Sequence, residues 1–193
     1  MDPLKFVKDN TYGINKLNIP PDEKVDKLLI RFAGICGAIA VQPIPFADIF
    51  ILTPIQLYMG TLIAEARGYK FSMSEIYKEI LGLIGLAYLA QQTAIGLYKT
   101  ILPFLGAITT IPLVFILTYA IGKVMDYYFV SKTEGKKVTK DDVINAFKQA
   151  RKNTKKNFTK DEIKKKTNAA KAEMANYKPT LKEFVQKNID ELG

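Results

Sequence analysis

The chain has 193 residues, 48% of them hydrophobic, and 28 Lys/Arg against 19 Asp/Glu give it a formal charge of +9 at pH 7. It has no histidine and a single cysteine, Cys36, which excludes an intramolecular disulfide and any His/Cys metal cluster and removes the usual general base. The charge is uneven: residues 32–122 hold four Lys/Arg and four acids, whereas residues 123–193 hold eighteen and ten, so the basic character belongs to the C-terminal third.

Residues 1–21 read as a polar N-terminal segment without the apolar run of a signal peptide. Pro20-Pro21-Asp22-Glu23 then reads as a helix start, with proline in the first turn and acids near the positive end of the helix dipole. This helix is expected to run to about Val41. It carries a stripe of Val25, Leu28, Leu29, Phe32, Ile35 and Ile39. Gly34, Cys36, Gly37, Ala38 and Ala40 make its last turns small-sided, a pattern that lets helix backbones approach closely. Cys36 reads as a small core residue.

Pro43 and Pro45 end that helix, and between Phe32 and Ala64 the only charge is Asp48. The next helix starts at Asp48 or at Thr53, where Thr53-Pro54-Ile55-Gln56 has the form of a capping box with proline at the first helical position. It ends near Arg67-Gly68. Ser72-Met73-Ser74-Glu75 opens a third helix, with Phe71 and Ile76 placed as its hydrophobic staple. Residues 80–98 are then uncharged, Lys99 interrupts, Pro103-Phe104 follows, and residues 101–122 are uncharged again. Pro45-Phe46 is followed after seven residues by Pro54, and Pro103-Phe104 after seven by Pro112, a spacing that fits a duplicated hairpin.

The expected fold is therefore all-α. Two proline-broken hydrophobic helical hairpins form a four-helix bundle over residues 22–130, and amphipathic basic helices follow over residues 131–193. Residues 127–138 read as a polar exit from the last hydrophobic helix, broken at Gly135. Thr139, Thr159 and Thr180 each start an amphipathic helix. The stripes are Val143, Ala146, Phe147 and Ala150, then Ile163, Thr167, Ala170, Met174 and Tyr177, then Leu181, Phe184, Val185 and Ile189. Their apolar faces are narrow and need a surface: the apolar block, a protein partner or anionic lipid.

The third and fourth helices are long enough to span a bilayer, which takes about 20 apolar residues. The first two are shorter and broken, which is tolerated at membrane depth only against protein or a cavity. Lysines and arginines flank the block and its middle loop, so insertion would leave both termini in the cytoplasm. Asp48 and Lys99 sit near the two hairpin tips. They read as a structural pair, since a buried charge costs several kcal/mol unless compensated, with an ion or proton path as the functional alternative. Gln42 and Gln56 are the polar residues that flank the first tip.

Two stretches carry a family resemblance. The first is Ala40-Val41-Gln42-Pro43-Ile44-Pro45-Phe46-Ala47-Asp48 with Thr53-Pro54-Ile55-Gln56-Leu57-Tyr58-Met59. The second is Lys99-Thr100-Ile101-Leu102-Pro103-Phe104-Leu105-Gly106 with Thr118-Tyr119-Ala120-Ile121-Gly122. Over residues 25–129 the chain resembles the bacterial family known as domain of unknown function 697. That resemblance implies a membrane-associated helical module linked to Era-like or dynamin-like GTPases, and it brings no catalytic residues. Gly135-Lys136-Lys137 lacks the spacing and the hydroxyl of a phosphate-binding loop, so the implied GTPase is a separate partner.

The expected function is that of a non-enzymatic anchor or effector module. It is placed at the bacterial inner membrane or its cytoplasmic face, with membrane lipid, a GTPase and a homo-oligomer as expected partners. No nucleic acid, cofactor or metal is expected. The alternatives are a small channel and a soluble helical adaptor. No activated nucleophile or paired carboxylates point to an enzyme.

Overall fold

A computed structural model describes residues 3–40, 51–69, 75, 78–83, 85, 86 and 106–175, without the side chains of residues 106–110. The fold is all-α, as expected. Its helices are α1 (Pro3–Asn15), α2 (Pro21–Ile39), α3 (Thr53–Ala66), α4 (Gly106–Thr133), α5 (Lys140–Asn157) and α6 (Lys160–Met174). A further helical stretch, residues 78–83, follows α3.

The N-terminal segment expected to be merely polar contains a helix. Phe6 and Val7 of α1 are fully buried in the main core, and Thr11 donates its hydroxyl to the Val7 carbonyl. Polar residues around one short apolar face hide such a helix in the sequence. The start of α2 follows the reading: Pro20 precedes the helix, and Asp22 and Glu23 occupy its first turn. The small-sided turns of α2 are covered by α6. A Cβ on Gly34 would lie 3.2 Å from the Lys166 carbonyl oxygen, and one on Gly37 would lie 3.0 Å from Thr167 Oγ1. The glycines thus admit a neighbouring helix at close range. Cys36 is fully buried, and desolvation pushes its thiol up to about 12.

Helix α3 does not start on a Thr53 cap. Residues 51 and 52 already form a π-turn, Leu52 occupies the cap position in helical geometry, and no side chain caps the end. Pro54 lies in the first turn, where its missing N–H is harmless. At the other end Gly68 takes φ 68°. Tyr69 N–H bonds the Ala64 carbonyl and Gly68 N–H bonds that of Glu65, a Schellman closure.

Helix α4 differs most from expectation. Pro112 lies inside it and does not end it. An interior proline costs about 3 kcal/mol through one lost hydrogen bond and a ring clash. Packing offsets that cost, since Phe115, Ala120, Val124, Met125 and Phe129 are all buried, each large side chain contributing roughly 1.5–3 kcal/mol. The expected polar exit at residues 127–138 is also displaced. The helix continues to Thr133, with Phe129 fully buried, and Gly135 at φ 71° closes it through Lys136 N–H to the Ser131 carbonyl.

Both described basic helices begin with full capping boxes, Thr139 with Asp142 and Thr159 with Glu162. The surface they need is the apolar block. Val143 and Phe147 of α5 join the core formed by α2, α3 and α4. Ile163 of α6 packs with Ala33, Phe115 and Ile116. Thr167, Ala170 and Met174 are buried as the stripe predicts. The helix start at Thr180 and the capping box at Ser72 lie outside the described residues.

Candidate functional site

The bundle has two chemically opposite ends. At one end the C-terminus of α3 meets the N-terminus of α2 and the second half of α4. Arg67, fixed at the α3 end by the Gly68 turn, makes a bidentate pair with Asp126: Nε to Oδ1 at 2.6 Å and a terminal nitrogen to Oδ2 at 3.0 Å. Its other terminal nitrogen reaches Asp22 at 2.6 Å. The Arg67 and Asp126 side chains are 14% and 13% exposed, whereas Asp22 is 88% exposed. Asp126 first, then Asp22, hold the guanidinium firmly charged against the opposing effect of burial.

One helical turn further along, Lys123 donates to Asp26 at 2.7 Å, and Tyr119 Oη lies 3.4 Å from the same carboxylate. These residues wall a groove of about 410 Å³, faced by Gln149, Asn153 and Asn157 of α5. On another side of α2, Arg31 donates to both carboxylate oxygens of Glu173 and to Asn10, tying α6 and α1 to it. The carboxylates of Asp22, Asp26 and Asp126 are each engaged by a cation. Among the described residues no three His, Cys, Asp or Glu side chains are grouped to hold a metal ion.

Among the described residues, the other end is largely apolar. Gly37 of α2, Thr167 of α6 and the Ile111 carbonyl of α4 converge there, since a Cβ on Gly37 would lie 3.7 Å from that oxygen. Because α3 runs back from there towards Asp22, its start at residues 51–53 lies at the same end. Ile111, Pro112, Leu113 and Val114 are all partly exposed, so one complete turn of α4 presents an apolar surface. Residues 111–133 are the one described stretch long and apolar enough to cross a membrane by length and composition. Half of its apolar window is buried inside the bundle.

Asp48, Lys99, Gln42, Pro43, Pro45, Phe46, Pro103 and Phe104 lie outside the described residues, and so does the proposed Asp48–Lys99 pair. Gln56 and Pro54 are partly exposed in the first turn of α3, and Pro112 is partly exposed within α4. The Arg67–Asp126 and Asp26–Lys123 pairs were not anticipated. The available signal was a pair of opposite charges, Lys123 and Asp126, in the continuation of an apolar helix. No family model, curated protein or solved structure matches the chain.

Proposed function

We propose that this chain is a non-enzymatic, membrane-associated helical protein that acts as an anchor or effector module, inserting its apolar end and keeping its charged end in water. The separate GTPase implied by the sequence resemblance is the proposed client. The location is the cytoplasmic face of the bacterial inner membrane, with both termini cytoplasmic, in line with the lysines and arginines that flank the apolar block.

One observation carries this reading: the polarity of the bundle. The uncharged run of residues 101–122 contains the turn Ile111–Val114, whose four side chains are all partly exposed, whereas Lys123 and Asp126 beyond it are engaged by Asp26 and Arg67. Full spanning by residues 111–133 would carry those ion pairs into the bilayer at a desolvation cost of several kcal/mol per ion, which their mutual attraction only partly offsets. Insertion of one end avoids that cost.

A soluble helical adaptor is the second reading, favoured by the burial of half the apolar window of α4 within the bundle. Fractionation of the native host with alkaline carbonate extraction separates the two. Retention of the chain in the membrane pellet is the expected result. Complete release into the soluble fraction would leave the adaptor reading in its place.

A further inference from the structure

We infer that the turn joining α5 to α6 is a basic collar that docks on anionic lipid headgroups. This rests on the membrane reading and adds to it the headgroup chemistry and the residues that meet it. Between residues 151 and 166 the sequence holds eight Lys/Arg against two acids, a net of +6. Of those acids, Glu162 is turned back onto Thr159 in the capping box. Lys152, Lys155, Lys156, Lys160 and Lys164 are exposed, and none is ion-paired among the described residues. By contrast, Lys123, Lys132 and Lys136 towards the charged end each hold a carboxylate.

The height of the collar is fixed by packing. Phe158, in the turn itself, stacks edge-on against Phe115 at 5.3 Å and Tyr119 at 5.2 Å. Ile163 is buried in the same cluster. The turn and its lysines therefore lie on one side of the bundle, beside Phe115 and Tyr119 and next to the apolar turn Ile111–Val114. From Gly106 to Val114 the helix rises about 12 Å at 1.5 Å per residue. The hydrocarbon of one leaflet is about 15 Å, half of the roughly 30 Å core. An apolar end inserted as far as Val114 brings the collar level with the lipid phosphates. The aliphatic stems of the lysines then lie along the boundary while their ammonium groups reach the headgroups. An acidic protein would match the charge alone. A bilayer surface matches both the charge and the apolar turn beside it.

Flotation of the full chain with phosphatidylcholine vesicles, and with vesicles containing about one-third phosphatidylglycerol, tests this at low and high salt. Two triple variants carry the same change in net charge: Lys155→Gln/Lys156→Gln/Lys160→Gln in the collar, and Lys136→Gln/Lys137→Gln/Lys140→Gln at the opposite end. Circular dichroism checks that both fold. The collar variant is expected to bind anionic vesicles about a hundredfold more weakly than the wild type, with neutral-vesicle binding unchanged, and the other triple to lose less than about threefold. Equal wild-type binding to neutral and anionic vesicles, or equal losses in the two triples, overturns the collar and leaves the membrane reading standing. Failure of the wild type to float with either vesicle removes both.

Discussion

Arg67 holds two carboxylates in very different surroundings, and the contrast sets a quantitative expectation. Asp126 is 13% exposed and receives two guanidinium hydrogen bonds, whereas Asp22 is 88% exposed and receives one contact. An Arg67→Met variant strands the Asp126 carboxylate without a cation, and breaking a buried pair from one side costs about 3 kcal/mol. Asp126→Leu is milder, about 1–2 kcal/mol, because Arg67 keeps Asp22 and a path to solvent. Asp22→Ala costs at most about 1 kcal/mol, the range of an exposed pair. The double variant Arg67→Met/Asp126→Leu is expected to be more stable than Arg67→Met alone, since no stranded charge remains. Urea unfolding followed by circular dichroism provides the four free energies. Additive costs in the double variant, or a loss for Asp22→Ala equal to that for Arg67→Met, would refute the reasoning.

Three further outcomes are expected. Gly34→Val pushes against the backbone carbonyl of Lys166 and should destabilise by about 1–3 kcal/mol, whereas Gly13→Ala, with open space around its Cβ in α1, should stabilise by up to about 1 kcal/mol in thermal melts. The Asp142 and Glu162 carboxyls are held below their usual values of 3.8 and 4.5, Asp142 chiefly by the Thr139 side chain and Glu162 chiefly by the Thr159 backbone N–H. Because the folded values are depressed, their stabilisation is present above the unfolded values and is lost as pH falls through the folded ones. Protection of the amides in the first turns of α5 and α6, measured against their intrinsic exchange, should therefore fall selectively below about pH 4, and Thr139→Ala should remove the effect in α5. With its thiol pushed up to about 12, native Cys36 holds a thiolate fraction on the order of 10⁻⁴ at pH 8. It should react with a thiol reagent only at the rate of global unfolding; rapid native-state labelling would show that the α2 seam opens locally.

Local signals in the sequence carried well. Pro20-Pro21 with Asp22 and Glu23 started α2, and the threonine capping boxes started α5 and α6 because their partners lie three residues away. Gly68 and Gly135 marked helix ends because the left-handed backbone of a Schellman closure favours glycine. Signals that depend on tertiary context did not carry. Pro112 resembled a break, yet burial along the rest of α4 outweighs its cost. Thr53 resembled a cap, yet the π-turn at residues 51 and 52 places Leu52 at the cap position. The Arg67–Asp126 pair joins residues 59 apart in sequence and has no local signature. Narrow stripes on α5 and α6 showed that a partner surface was needed, but it takes the packing of Ile163, Lys166 and Thr167 on Ala33, Gly34 and Gly37 to identify α2 as part of it.

The insertion of the apolar end is tested most directly by depth measurements along one helix. In a Cys36→Ala background, an environment-sensitive fluorophore is placed at position 113 or at position 127, about 21 Å apart on α4 at 1.5 Å per residue. Leu113 belongs to the partly exposed apolar turn, and Tyr127 is 43% exposed towards the charged end. On mixing with anionic vesicles, the label at 113 should shift to the blue and be quenched by acyl-chain quenchers, while the label at 127 stays accessible to aqueous iodide. A label at 113 that remains aqueous, or lipid quenching at both positions, would contradict insertion of one end of the bundle.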